Sequence, residues 1–190
     1  MKRRWLIAAC LFLFLPAVLS AAGEERKDVK FSAKEPVLLT SAGQSADVQM
    51  VKVLLERNKI AVKTATLAGP DDLQGIKTLV VAVGGSAKGL GAAGVDADKE
   101  AARVQKVIAK AKELGVPILS LHVGGSAKRG ELSDRFIALV VPVSAYVIAL
   151  KDGDKDGFIT KTSAKGNVPV LFVEKISQTQ DPLKALFGKK

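Results

Sequence analysis

Short apolar runs alternate along this chain with segments of helical periodicity, and this alternation is the feature that most limits its fold. The clearest run is Thr78–Val83, which is rich in β-branched residues, as strands buried on both faces are. A helical pattern follows it, with apolar residues at Val104, Val107, Ile108 and Ala111 on one face. Repeated alternation of this kind predicts a parallel sheet with helices on both faces.

The order of the predicted elements gives a single three-layer, Rossmann-like α/β domain with about six strands. We expect a flavodoxin-like strand order, in which the first strand lies between the second and the third, so that the sheet reverses direction there. Ligands of such folds bind outside the carboxyl ends of the strands at this reversal. The loops at that place are Thr40–Ser45 and Gly84–Gly94.

The N-terminus has the layout of a secretory signal peptide. A basic start, Lys2–Arg4, precedes the apolar run Trp5–Leu19, and Ser20 and Ala22 provide small residues for cleavage. The apolar run is shorter than the roughly 20 residues that a membrane anchor needs. We therefore expect export to a periplasm or the medium, with residues 1–22 as signal peptide, 23–35 as a flexible leader and 36–190 as one domain.

Cleavage of the signal peptide would remove the cysteine and three positive charges from the chain. Cys10 is the only cysteine and leaves with it, so we expect neither disulfides nor a disulfide-linked partner. The formal net charge of +10 loses the three positive charges of Lys2–Arg4 and becomes +7. No dense basic patch or basic-aromatic interleaving is present, so nucleic acid is not an expected partner. With His122 as the only histidine, a zinc site is not expected either.

Two glycine-rich runs share the letters VGGSAK. The first contains Gly89–Gly94, which matches the G-x-G-x-x-G pattern of dinucleotide-binding folds. That pattern normally follows the first strand at once, whereas here it begins six residues after Val83, the end of the third predicted strand. We therefore expect no dinucleotide and no other bound cofactor.

Neighbouring parallel strands would place the two runs side by side at the carboxyl edge of the sheet. Glycine-rich backbone offers amide groups to an anion, and Lys and Arg side chains add positive charge. The alternative is that the glycines only permit tight turns between strands and helices. The predicted ligand-binding residues are Ser41, Gln44, Gly84, Gly85, Ser86, Lys88, Gly124, Gly125, Ser126, Lys128 and Arg129.

His122 is a candidate general base, because it lies near the carboxyl end of a predicted strand. Its acid partner would be Asp134 or Asp156. The competing interpretation is a hydrogen-bonded core histidine, which we favour because no nearby acid clearly orients the ring.

The segment Asp152–Ile159 resembles a calcium loop. Asp152, Asp154 and Asp156 occupy the first three ligand positions of that motif. The bidentate carboxylate at its twelfth position is missing, and a predicted strand rather than a helix precedes the loop. Calcium is therefore a weak candidate, and a turn that leads into a helix is the alternative.

Four segments together resemble a family of small exported bacterial proteins of unknown function: EPVLLTSAGQSADV, TLVVAVGGSAKGLGAAGVD, HVGGSAKRGELSDRF and KDGFITK. The resemblance covers about residues 35–176. It implies a signal peptide followed by one Rossmann-like domain, and it implies no reaction, cofactor or catalytic residue.

The function that the sequence favours is an exported domain that binds a small anionic solute in its strand-end loops. Two alternatives stay open: an exported hydrolase that uses His122 with a nearby acid, and an interaction domain without a ligand. A membrane or envelope protein is a further candidate partner. The sequence does not decide whether the protein is an enzyme, although it favours binding alone.

Overall fold

The computed structural model of the protein describes residues 31–189, and these residues form a three-layer α/β domain around one parallel sheet. The strand order is β2-β1-β3-β4-β5-β6, and every neighbouring pair is parallel. This order confirms the predicted flavodoxin-like topology, with its reversal between β1 and β3. The strands are β1 Val37–Ala42, β2 Val62–Thr64, β3 Thr78–Val83, β4 Ile118–His122, β5 Tyr146–Leu150 and β6 Val170–Val173.

Helices cover both faces of the sheet. The α-helices are α1 Asp47–Arg57, α2 Ala87–Ala92, α3 Ala97–Glu113, α4 Glu131–Val140, α5 Phe158–Ala164 and α6 Gln180–Leu186. Helices α1 and α6 pack on one face, whereas α3, α4 and α5 pack on the other. Short 3-10 turns lie at Pro70–Leu73, Gly125–Lys128, Val141–Val143, Lys151–Asp154 and Ile176–Thr179.

The central strands are apolar at nearly every position because both of their faces are covered. In β1, Val37 and Leu39 pack beneath α1, while Leu38 and Ala42 pack on the α3 side. All six residues of β3 are buried as well. This double burial is the physical reason why these strands lack the alternation of a half-exposed sheet.

The chain enters the domain at the amino edge of the sheet. The ring of Phe31 stacks on Tyr146 at the start of β5, with 6.2 Å between centroids. The amide of Ala33 donates to the carbonyl oxygen of Leu186 at the end of α6 (2.8 Å), and the amide of Lys34 donates to Thr78 Oγ1 (2.9 Å). Residues 31–35, predicted as part of a flexible leader, therefore belong to the folded domain.

Helix α2 corrects the prediction that residues 84–94 form a loop. Ser86 begins the helix, and its hydroxyl accepts a hydrogen bond from the amide of Gly89 (3.0 Å). Two glycines inside a helix of six residues lower its propensity, so the sequence alone favoured a loop.

The predicted signal peptide lies outside the described residues. Within residues 31–189, none of the helices has both the length and the apolar character required to cross a membrane.

Candidate ligand-binding site

The loops that follow β1, β3, β4 and β5 meet at the carboxyl edge of the sheet. Gln44 in the first loop forms an isolated bridge with Gly85 in the second. The third and fourth loops are joined by Asp152, whose Oδ2 accepts hydrogen bonds from the Ser126 amide (3.3 Å) and hydroxyl (3.0 Å). These bonds, the Ser126 amide first, hold the pKa of Asp152 below its ordinary value. The two VGGSAK runs are thus neighbours in the folded chain.

The backbone amides of the first run are engaged within the protein. The amides of residues 84, 85 and 86 donate to the carbonyl oxygen of Ala42 (3.0 Å), the hydroxyl of Ser133 (2.9 Å) and the carbonyl oxygen of Gly43 (2.9 Å), respectively. The hydroxyl of Ser86 accepts from Gly89 at the start of α2. These groups fasten the loops to each other, so the first run does not present a row of unused amides to an anion.

A buried ion pair holds the loop after β1. Glu100 is completely buried (0% exposed), and its Oε1 lies 2.7 Å from an Nη of Arg103 on the same helix, α3. The same oxygen accepts from the Gly43 amide (3.1 Å) and from Gln44 Nε2 (2.9 Å). Gln44, a predicted ligand residue, therefore uses its side chain to anchor its own loop.

Arg103 completes this network through backbone carbonyls. Its guanidinium donates to the oxygens of Ser41 (2.5 Å) and Ala68 (2.8 Å). Burial alone would raise the pKa of the Glu100 carboxyl, but the hydrogen bonds and charge of Arg103 outweigh it, and the pKa lies below its ordinary value. Glu100 is therefore charged at neutral pH.

Arg129, another predicted ligand residue, is a structural hub. Its guanidinium makes two hydrogen bonds to Asp134 (2.6 and 3.1 Å) and two to Asp156 (3.0 and 2.9 Å). It also donates to the carbonyl of Gly153 and lies 5.1 Å from the ring centroid of Phe158. Arg129 thus joins the loops after β4 and β5 and is not available to a solute.

These contacts shift the pKa values of Arg129 and Asp156 in opposite directions, and each shift favours the charged form. The hydrogen bonds of Asp134, followed by those of Asp156, raise the pKa of Arg129. The Arg129 guanidinium, helped by the Phe158 amide, lowers the pKa of Asp156 to about 2. The hub therefore keeps its charges throughout the physiological pH range.

Arg129→Lys is expected to lower the melting temperature by about 3–6 °C, because an ammonium group cannot make two bidentate contacts at once. Circular dichroism of the wild-type and variant proteins measures this change. The control is Arg135→Lys, since Arg135 is more exposed and makes a single contact with Asp98 at 2.6 Å. Equal melting temperatures for wild type and Arg129→Lys would contradict the structural role.

His122 is buried with both ring nitrogens facing backbone carbonyls. Nδ1 lies 2.9 Å from the oxygen of Val83, and Nε2 lies 3.3 Å from that of Gly125. Neither candidate acid bonds to the ring, because Asp134 and Asp156 are both bound by Arg129. This arrangement is that of a core histidine and lacks the oriented base that nucleophilic catalysis requires.

The three carboxylates of the candidate calcium loop point to different partners. Asp152 bonds to Ser126 and Asp156 to Arg129, while Asp154 Oδ1 accepts from the Ile159 amide (2.6 Å) at the start of α5. Within the part of the chain that the structure describes, no group of three or more His, Cys, Asp or Glu side chains could hold a metal. The loop acts as a turn that caps α5.

Asp47, the first residue of α1, lies between the two glycine-rich runs. Its Oδ2 is 3.6 Å from where a Cβ on Gly84 would lie and 2.5 Å from the same point on Gly124. This oxygen is buried and has no hydrogen-bond partner. We call Ser45, Asp47, Gly84, Gly124 and Lys128 the switch-point cluster. The first three follow β1 and β3, between which the sheet reverses, and the last two follow the adjacent strand β4.

The stem of Lys128 lies beside Gly124 in the switch-point cluster. Its Cβ and Cγ lie 2.4 and 2.3 Å from the position of a Cβ on Gly124, so its stem is a close neighbour of Asp47 Oδ2. Lys88 is exposed on α2. Within residues 31–189, neither lysine forms an ion pair. The structure thus brings Lys128 to Asp47, whereas Lys88 lies on the helix surface.

A concavity lies between α1 and α6, away from the switch-point cluster. Its volume is about 500 Å³, and it is bordered by two exposed apolar side chains, Met50 (43% exposed) and Val53 (39%). Its lining residues are Gln49, Met50, Val53, Leu54, Arg57, Ile176, Ser177 and Gln180. It shares none of the predicted site residues.

A sequence profile of the family DUF6305, described as a domain of unknown function, matches residues 34–187. The chain belongs to this family. The match includes every strand and helix of the domain, and it confirms the resemblance to a family of unknown function. No curated protein matches the chain.

Solved structures resemble the DUF6305 domain only remotely. Hydroxyethylthiazole kinase from Pyrococcus horikoshii OT3 aligns with a TM-score of 0.49 and 14% identity, over 72% of this chain and 55% of the kinase, so the chain spans about half of that protein. AlinE4, an SGNH-hydrolase family esterase, aligns with a TM-score of 0.31 and 10% identity, over 78% of each chain. These likenesses are too weak to carry a functional argument.

Ser45 and Asp47 belong to the site but are not among the predicted ligand residues. Asp47 was not selected because those residues were chosen for glycine, hydroxyl and positive charge. The available signal was its position, because the start of α1 follows β1 at the sheet reversal, where ligands bind.

Proposed function

We propose that this DUF6305 domain is an exported binding protein that holds a small polar solute at the switch-point cluster. The observation that carries the proposal is the buried Oδ2 of Asp47, which has no partner and lies between the two glycine-rich runs. A buried polar atom without a hydrogen bond costs about 1–3 kcal/mol. An unsatisfied buried group of this kind calls for an explanation, and a ligand that donates to Asp47 would supply one.

The position of Asp47 and the chemistry around it support the same proposal. Flavodoxin-like folds bind solutes where the strand order reverses, and Asp47 begins α1, the helix that follows β1 at this reversal. The Lys128 stem and Asp47 Oδ2 both lie beside Gly124, so we expect a solute to reach the carboxylate when this flexible side chain swings aside. The charge of Lys128 offers a contact for the anionic group that the sequence analysis predicted.

The alternative of a hydrolase has less support than solute binding. His122 faces two backbone carbonyls, and Asp134 is occupied by Arg129. The predicted membrane or envelope partner stays a prediction, as does an interaction domain without a ligand.

Gly84→Ala is expected to weaken solute binding by about tenfold or more, because one misplaced methyl group in a fitted site costs roughly 1–3 kcal/mol. The added methyl would lie 3.6 Å from Asp47 Oδ2 and 3.3 Å from Ser45 Cβ, so the fold needs only a small adjustment. A thermal-shift screen of small polar metabolites with the wild-type protein identifies binders, and calorimetry measures their affinity for both proteins.

Gly91→Ala is the matched control, since a Cβ on Gly91 meets nothing within 4 Å. It should bind every solute as the wild type does. A solute that binds wild type and Gly84→Ala equally well, or a screen in which no solute raises the melting temperature, would refute the proposed site.

A further inference from the structure

We infer that the solute carries a protonated amine, which is seated on Asp47. This inference rests on the proposed function and deepens it, because it assigns the chemical group that the switch-point cluster recognises. It also changes the expected order of interactions: a positive group of the solute meets the protein's carboxylate first, and any anionic group is secondary.

The group that carries the inference is the side chain of Asp47, whose oxygens are hydrogen-bond acceptors. Asp47 Oδ2 is buried, has no hydrogen-bond donor, and belongs to a residue in the first turn of α1. A buried carboxylate oxygen in this state requires a hydrogen-bond donor, and a charged donor is the stronger partner.

Ser41 provides a second, independent observation. Its side chain is completely buried (0% exposed), and its Oγ also has no hydrogen-bond partner. By the alternation of β1, Ser41 lies on the same face as Val37 and Leu39, which is the face that α1 covers. Two unsatisfied oxygens therefore lie at the end of β1 that leads into α1.

An ammonium group fits these acceptors better than an anion does. It has three N–H donors and no acceptor, so it can bond to Asp47 Oδ2 and still donate to a hydroxyl. An anion would need donors, yet the amides of Gly84, Gly85 and Ser86 are already engaged within the protein. Among the cluster's side chains, Lys128 alone provides a positive charge for an anionic group of the solute.

Three small probes with the same four-carbon chain separate the possibilities: butylamine has only the amine, butyrate only the carboxylate, and γ-aminobutyrate both. The readout is the change in the amide resonances of Gly84 and Gly124 on titration to millimolar concentrations. We expect both amine-bearing probes to shift these resonances and butyrate to leave them unchanged. No shift with either amine would overturn the inference.

Asp47→Asn tests the carboxylate itself, because it keeps the shape of the side chain and removes the charge. We expect the affinity for butylamine to fall by about tenfold or more, as for the loss of a charged hydrogen bond. The matched control is Asp98→Asn, a first-turn residue of α3 whose side chain is 87% exposed, and it should leave the titrations unchanged.

The stability of ligand-free Asp47→Asn separates a binding role from a structural one. An unpaired carboxylate kept for a ligand contributes little to folding, so the unfolding equilibrium constant should stay within about fivefold of the wild-type value. A rise of more than tenfold would mean that Asp47 serves the fold, and it would overturn the inference.

The same titrations distinguish failure of the inference from failure of the proposed function. If butyrate shifts the Gly84 and Gly124 resonances in both wild type and Asp47→Asn, the cluster binds solutes but does not select an amine. If no probe shifts them and the metabolite screen also finds no binder, both proposals fall.

Discussion

Glu100→Ala is expected to lower the free energy of unfolding by about 3–5 kcal/mol, the usual cost of removing one partner of a buried ion pair. The change would leave the Arg103 guanidinium without its counter-ion. It would also remove the acceptor for the Gly43 amide and for Gln44 Nε2. The loop after β1 would thereby lose its two bonds to Glu100, and Arg103, which also donates to the carbonyl of Ser41, would lose the carboxylate that orients it.

Urea denaturation followed by circular dichroism measures this loss. The control is Glu113→Ala on the same helix, because Glu113 pairs with Lys110 at 2.7 Å but its side chain is 65% exposed. Exposed pairs contribute about 0–1 kcal/mol, so the control should stay close to wild type. Similar effects of the two substitutions would show that the buried pair has no special role.

The same carboxyl predicts a pH dependence with a definite sign. The pKa of Glu100 is lower in the folded protein than its ordinary value of 4.5, so the folded state releases this proton more readily. The contribution to stability is therefore complete above pH 4.5 and is lost as the pH falls towards the lower folded pKa. In Glu100→Ala the stability should fall less steeply over this acid range, which thermal melts at several pH values can measure.

Gly89→Ala is expected to destabilise the domain by about 3 kcal/mol or more, at the upper end of overpacking costs. A Cβ at this position would lie 1.9 Å from the carbonyl oxygen of Gln44 and 3.0 Å from its carbonyl carbon. These atoms are backbone, and the loop that contains them is fixed by Glu100 and Arg103. The loop cannot move aside without breaking that network.

Gly91→Ala, in the same helix, is expected to stabilise the domain slightly. A Cβ there meets nothing within 4 Å, and alanine is favoured over glycine in a helix by about 0.5–1 kcal/mol. Thermal denaturation should thus rank the proteins Gly91→Ala, wild type and Gly89→Ala in decreasing stability. Similar stabilities of the two variants would contradict the tight contact between α2 and the loop after β1.

The sheet could be predicted from the sequence because burial on both faces leaves a direct mark. The run Thr78–Val83 is apolar throughout and forms β3 with the predicted boundaries. Helix α3 was equally clear, since its apolar spacing and the cap at Asp96 agree with each other. Helix α2 was missed because its glycines favour a loop, while the contacts that fix it come from Gln44, far away in sequence.

The site was less predictable, because a residue type does not reveal its partner. Arg129 and Gln44 were expected to contact a solute, but both bind within the protein. Those contacts depend on how closely α3 approaches the loop after β1 and how closely the loop after β5 approaches Arg129. The hydrophobic periodicity of the sequence does not encode these distances. Asp47 was missed for the opposite reason: its lack of a partner is visible only when every neighbour is in place.

The contact between Ala33 and Leu186 determines where a second domain or a membrane anchor could be attached to this domain. Both ends of the fold leave the domain side by side at the amino edge of the sheet, next to Lys34 and Thr78. The switch-point cluster lies at the opposite pole. A tether at either end would therefore hold the domain at its amino edge and leave the switch-point cluster facing away from the point of attachment.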